Sequence, residues 1–232
     1  MKKTGFTLAE VLITLTIIGV IATLTLPTLM TNTAERQYVT GLKKVINTLS
    51  EAGQTNAALA GFDYGSITDA TDGVSLTDNP VDENGNQLQS VYALLYNRTN
   101  LDFQKNGQPL PGLDAAAGRT IYFRDGSALV LDANDVSVNE AGAIVRGGRI
   151  LAVVDVNGAK GPNIMSTCGG AEADGAYDIT KVDQDAFNQA IAARENACTA
   201  VATRIIRDRF QIRLEGGSAF PNNAAAQWAF DN

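Results

Sequence analysis

The 232-residue chain has no histidine, two cysteines and one tryptophan. Without histidine it lacks the usual general base, the usual proton switch and the commonest transition-metal ligand. No Ser-His or Cys-His pair is available, there is no Walker loop, and the scattered aspartates of its turn sequences define no carboxylate dyad. The expected class is therefore not an enzyme. Positive charge is the scarcer sign, with 18 basic against 25 acidic side chains and a formal charge of −7. That balance disfavours a generic binder of nucleic acid or of anionic lipid.

Charge is scarcest near the start, where the first 34 residues carry only Lys2, Lys3 and Glu10. From Val11 to Met30 twenty residues have no charge at all. As a helix rising ~1.5 Å per residue, such a run covers ~30 Å, about the hydrocarbon thickness of a bilayer. Two lysines precede it and no basic cluster follows at once, which favours a cytoplasmic N-terminus and an exported C-terminal domain. A cleaved secretory signal is the ordinary alternative. It is opposed by the length of the run, by the carboxylate at its start and by the lack of a small-x-small cleavage site before Thr31. A plain signal anchor leaves Glu10 unexplained, since a carboxylate in the bilayer costs ~2.5–3.5 kcal/mol on insertion scales.

Lys2-Lys3-Thr4-Gly5-Phe6-Thr7-Leu8-Ala9-Glu10-Val11-Leu12 resembles the cleavage site of type IV prepilins and type II secretion pseudopilins. That pattern is a short basic leader ending in Gly, then Phe, three mostly apolar residues, Glu and a long apolar helix. The resemblance implies that a prepilin peptidase cuts between Gly5 and Phe6 and methylates the new amine of Phe6. It also implies that Glu10 neutralises the Phe6 ammonium of a neighbouring subunit inside a filament, a buried pair that would set register. Loss of Lys2 and Lys3 with the leader leaves 16 basic against 25 acidic side chains, or −9. Pro27 lies deep in the apolar run, where it removes a helical hydrogen bond. A kink or a melted turn is expected there, and Pro27 resembles the position at which some pilins lose helix in the filament. Gly19 and Thr14, Thr16, Thr23, Thr25 and Thr28 weaken the helix further, although threonine can bond back to helical carbonyls.

Beyond Asn32 apolar residues recur every three or four positions at Tyr38/Val39, Leu42, Val45/Ile46, Leu49 and Ala52. This predicts that the helix continues to about Ala60, capped near Gly61, with one face covered by a folded domain. The expected organisation is a leader at 1–5, a transmembrane and filament-core helix at 6–30, an amphipathic continuation at 31–60 and a head at 61–232. Residues 61–90 read as loop. Ser90 is placed to cap a short helix through Tyr96. Arg119–Arg124 and Ser127–Leu131, joined by Asp125-Gly126, read as a hairpin, and Arg149–Asp155 as a third strand. Helical spacing predicts a further helix from Asp183 to about Phe210, and the tail from Leu214 reads as irregular. The fold class is thus α+β and pilin-like: a long N-terminal helix, an antiparallel sheet head and an additional C-terminal helix.

Candidate sites in the head are weaker. Asp155 and Asn157 open a glycine-rich loop whose oxygens suggest calcium, the one candidate cofactor. An EF-hand is excluded because Ala159 stands at the fifth position and the glycine, needed at the sixth, comes early at Gly158. The loop resembles a strand-end loop of some pilin-like proteins that closes the sheet, and an Asx and glycine turn is the competing reading. Cys168 and Cys198, with 29 residues between them, suit a disulfide of the kind many type IV pilins carry, worth ~3–4 kcal/mol by chain entropy. A buried free thiol at Cys198 is the alternative. Arg194, Arg204, Arg207, Arg209 and Arg213 make the segment basic, but Glu195, Asp208 and Glu215 interrupt them, so nucleic acid is an unlikely partner.

The expected function is that of a structural subunit of a type IV pilus-like filament. A secretion pseudopilin, or a minor or tip pilin that binds DNA, surfaces or calcium, stands as the alternative. The partners expected are other pilin or pseudopilin subunits, prepilin peptidase and, before assembly, the inner membrane. The head would then be periplasmic or extracellular.

Overall fold

The structure, a computed structural model, describes residues 7–71, 75–111, 113, 119–131, 149–168 and 204–232. Helix α1 runs from Leu8 to Ala60. The chain divides into two compact units, one ending at Gln37 and one from Tyr38 to Asn232. In the first, the helical backbone is unbroken through Pro27. Its threonines turn their hydroxyls onto the preceding turn: Thr14 donates to Val11 O, Thr16 to Leu12 O, Thr25 to Ile21 O and Thr33 to Leu29 O. Each polar group is thereby satisfied within the helix, which leaves an outer surface suited to an apolar medium. Among the described residues α1 alone is long and apolar enough to cross a membrane.

In the second unit the amphipathic part of α1 buries Leu42, Val45, Ile46, Leu49 and Ala52, as its spacing requires. It ends at Ala60, and Gly61 follows at φ +79°, the left-handed conformation expected of a cap. Asn56 gives its amide to the carbonyl of Phe62 just beyond. Helix α2, Val91–Arg98, starts where Ser90 accepts the N–H of Ala93 at 3.1 Å. Its Val91, Leu94 and Leu95 enter the same core.

The sheet has five antiparallel strands: β1 (Thr120–Tyr122), β2 (Ala128–Leu131), β3 (Arg149–Asp155), β6 (Arg209–Glu215) and β7 (Ser218–Pro221), in the order β1-β2-β3-β6-β7. A two-stranded ladder, β4 (Thr167–Cys168) with β5 (Arg204–Ile205), lies between β3 and β6 in sequence. One sheet face, with Ile121, Leu129, Leu131, Ile150, Val154, Phe210, Ile212 and Leu214, shares a core with α1 and α2. Tyr122, Ala128, Val130 and Val153 point the other way and pack with Leu110, Leu113 and Met165. Gly53 permits a close approach of α1 to the β6–β7 hairpin, since a Cβ there would lie 2.8 Å from Gly217 O and 2.6 Å from the Tyr64 ring.

The long helix, the hairpin and the third strand stand where the sequence puts them, and the head carries a C-terminal helix. That helix, α3, is Ala224–Asp231, started by Asn223, whose side chain accepts the N–H of Ala226. The helix expected over 183–210 is not found in its described part, 204–210, which forms β5 and the start of β6. From Arg209 the burial alternates, with Phe210, Ile212 and Leu214 inside and Gln211, Arg213 and Glu215 half-exposed, so strand periodicity wins over the helical spacing upstream. The tail is likewise ordered, because Gly216-Gly217 is a two-residue hairpin turn between β6 and β7.

Candidate functional site

At the start of α1 the Glu10 carboxylate accepts the backbone N–H and the hydroxyl of Thr7, each at 2.8 Å. Thr7 Oγ accepts the Glu10 N–H in return, at 3.3 Å. This is a capping box, in which a Thr and a Glu three positions on satisfy each other's backbone donors at a helix N-terminus. The Thr7-x-x-Glu10 spacing was a readable signal that the sequence reading missed. Glu10 therefore has a local partner within its own chain. From Leu8 to Met30 the exposed large apolar side chains stand between 46% and 80% open, a continuous surface far beyond what a soluble monomer leaves bare. Gly5 and Phe6 lie outside the described residues. Nothing covers the apolar band within the first unit, so the band and the carboxylate at its head form the candidate assembly site.

The head carries a second constellation. Asp155 ends β3 directly opposite Arg209, the first residue of β6. Both are buried, and Arg209 Nε donates to Asp155 Oδ2 at 2.8 Å. Its Nη2 donates to Pro111 O and to Asn163 Oδ1. Asp208, also fully buried, accepts the N–H of Asn163 at 2.7 Å and of Ile164 at 2.9 Å. The end of β3, the 156–164 loop, the segment at Pro111 and the start of β6 are thus tied at one point. Gly158 lies in the loop at φ +65° against the carbonyl of Gly126, where a side chain has no room. Burial pushes the Asp155 carboxyl up to about 6, against the pull of Arg209 and with the charge of Asp208 adding to the rise. Burial likewise raises Tyr38 and Tyr122, which face the same charges from α1 and β1.

Asp155 and Asn157, the residues considered for calcium, are therefore engaged otherwise. Asp155 has a guanidinium on one oxygen and the Asn157 N–H on the other, while Asn157 gives its amide to Gly161 O. The loop is built as an Asx turn anchored by an ion pair, and among the described residues no group of three or more Asp, Glu, Cys or His side chains is placed to hold a metal. The arginines do not share a helix face. Arg204 lies on β5 with its guanidinium 3.7 Å from the Trp228 ring, Arg209 is buried, and Arg213 on β6 contacts Glu215 and Phe220. Arg194 lies outside the described residues. Cys168, on β4, is disulfide-bonded, and Cys198 lies outside the described residues. No sequence signal marked Asp208 and Arg209 as buried, since an Asp-Arg doublet before a strand is normally solvated.

Residues 1–26 match the family described as Prokaryotic N-terminal methylation motif. Its N-terminus carries that motif, which supports a type IV pilin or pseudopilin-like role. The match covers the leader, Glu10 and most of the uncharged run, the same segment whose apolar surface stands bare. No curated protein and no solved structure was matched to this chain.

Proposed function

We propose that this pilin-like chain is a structural subunit of a type IV pilus-like filament. A prepilin peptidase cuts after Gly5 and methylates Phe6, and the subunit then assembles through α1. The observation that carries the reading is the uncovered apolar band from Leu8 to Met30 headed by one carboxylate, in a segment that matches the methylation motif. In the membrane this band is already solvated by lipid, so its transfer into a filament exchanges one apolar neighbour for another. What changes is Glu10. Among the described residues its charge is supported by Thr7 alone. In a filament it would meet the new ammonium of Phe6 on the next subunit, and a desolvated opposite charge is a stronger partner than a hydroxyl and an amide. Cleavage creates that ammonium and so converts an anchor into an assembling subunit.

An exported head also suits the bonded state of Cys168, for which we take Cys198 as the partner. Replacement of Glu10 by Ala separates anchoring from assembly. The E10A protein should stay in the membrane fraction at the wild-type level, because a charge is removed from the apolar segment. Its recovery in sheared filaments should fall at least tenfold, the effect of losing one desolvated ion pair worth ~1.4 kcal/mol or more. Wild-type incorporation of E10A into filaments contradicts the reading.

A further inference from the structure

The chain has three Asn-Gly pairs, Asn84-Gly85, Asn106-Gly107 and Asn157-Gly158. Such a pair carries its own chemistry. Asparagine is thermolabile, and a following glycine, with no Cβ, lets its backbone nitrogen reach the side-chain carbonyl carbon. The fold treats the three pairs differently. Asn106 is buried, with Oδ1 accepting the Tyr122 N–H at 2.7 Å and Nδ2 donating to Leu76 O at 2.9 Å. Its glycine is also held, since Gly107 N donates to Thr120 O at 2.8 Å. Asn157 donates from Nδ2 to Gly161 O at 3.2 Å, and Gly158 is buried against the carbonyl of Gly126. In both pairs the groups that would have to meet are fixed by other parts of the head.

Asn84 differs. It lies exposed in the small turn closed by the Val81 and Gln87 bridge, and among the described residues no hydrogen bond holds its side-chain amide. Gly85 is exposed at φ +82°, and a Cβ built there would meet nothing within 4 Å, so the space that cyclisation needs is open. Asp82 organises the turn: its Oδ1 accepts the N–H of Asn84 and of Asn86, each at 2.8 Å, and its carbonyl accepts the Gly85 N–H at 3.0 Å. Only that last bond guards the attacking nitrogen, and a single turn bond at an exposed tip opens at little cost. We propose that Asn84 is a spontaneous deamidation site, which adds a negative charge to the head as the protein ages. The Gly85 nitrogen gives its proton to solvent base and bonds to Asn84 Cγ, the Cγ–Nδ2 bond breaks, and the amide nitrogen leaves as ammonia with a proton from water. Water then opens the cyclic imide at either carbonyl, which leaves an α-linked or a β-linked aspartate at position 84. No oxidant, cofactor or enzyme is needed. In the β-linked product the chain between the two N–H groups that Asp82 Oδ1 accepts is one carbon longer, so the Asp82 grip on the turn is broken. The change stays local, because Leu88 N–H donates to Pro80 O at 3.0 Å and Gln89 N–H to Asp69 Oδ2 at 2.7 Å just outside it. The inference stands on the turn alone and does not depend on assembly.

The reaction can be followed in full-length protein held in detergent at mildly alkaline pH, where the backbone nitrogen loses its proton more readily. Peptide mapping by mass spectrometry reads the three Asn-Gly pairs in one sample. In the folded protein the peptide containing Asn84 should gain one mass unit and separate into two products on chromatography. It should react about tenfold or more faster than the peptides containing Asn106 and Asn157, whose reaction waits on local opening of the head. In urea the three rates should converge, since the fold is what separates them. An isoaspartyl methyltransferase with S-adenosylmethionine should label the aged Asn84 peptide of the wild type, and N84Q should lose that label together with the mass gain. A folded-state rate at Asn84 no greater than that at Asn106 or Asn157 overturns the proposal. So does an Asn84 peptide that stays unmodified in the folded protein while it reacts in urea, or a label that survives in N84Q.

Discussion

Asp125 stands in the turn between β1 and β2, where Lys44 reaches it from α1 at 2.8 Å and Ser127 gives it both its N–H and its hydroxyl. Burial acts to raise this carboxyl, but the bonds from Lys44 and Ser127 outweigh it, and the folded value lies below the unfolded one. The stability it contributes is present above the ordinary aspartate range, near ~3.9, and is lost as pH falls through the folded value. Because Lys44 is 61% exposed, solvent screening holds the contribution to ~1 kcal/mol or less. Asp125→Asn should therefore lower the urea stability of the head by up to ~1 kcal/mol at pH 7 and by less at pH 3. An equal loss at both pH values would mean that the side chain acts by shape and not by charge. Tyr64 shows the limiting case of burial on a neutral group. Its hydroxyl donates to Leu49 O at 2.8 Å inside the core, and burial drives its ionisation far above the usual tyrosine range, so it stays a donor at every working pH.

Among the elements, β4 and β5 form a stem. Cys168 and Arg204 are directly opposed in an antiparallel pair, so the chain leaves at one residue and returns at its cross-strand neighbour. A two-residue turn can close such a pair. Replacing residues 169–203 by Asn-Gly, with Cys168 changed to Ser, should leave the sheet and the Trp228 environment intact. The lost cross-link removes ~3–4 kcal/mol in the chain-entropy account, but the shortened loop recovers most of that closure entropy, so the net change should stay below ~2 kcal/mol. Near-ultraviolet circular dichroism and urea unfolding test this, and loss of the native spectrum would mean that the excised segment belongs to the core.

Elements that were legible in the sequence are those whose signal is local. The 3–4 spacing from Tyr38 to Ala52, the Ser90 cap and the Asp125-Gly126 turn each state their own geometry within a few residues. The β6–β7 hairpin had equally local marks, Gly216-Gly217 and the Phe210/Ile212/Leu214 alternation, but helical spacing through residues 187–206 was carried over its start. In the candidate site, Glu10 stood out because an isolated charge in an apolar run is conspicuous. The charged knot did not, because burial of Asp155 and Arg209 depends on three distant segments meeting. Pro27 marks a different boundary. The free subunit keeps helical backbone there, and any melting that assembly brings is a property of packed subunits.

At the level of the whole molecule, the head from Tyr38 has its own closed core, whereas the described residues of the unit ending at Gln37 form none. One of the sheet's two outer strands, β7, is shielded from pairing with other chains: the Ala219 N–H is taken by Ser50 of α1, and Pro221 brings no donor. In the proposed filament, association would run through the N-terminal helix, where lipid and neighbouring helices would compete for the same apolar surface and one carboxylate would distinguish them. This account requires the leader to be removed, since before the cut Phe6 is an amide-linked residue with no charge to offer Glu10. Intact mass and peptide sequencing of the protein recovered from sheared filaments test that requirement directly. The account predicts a chain that begins at Phe6 with one added methyl group on its amine, and a chain that begins at Met1 or beyond Thr31 would contradict it.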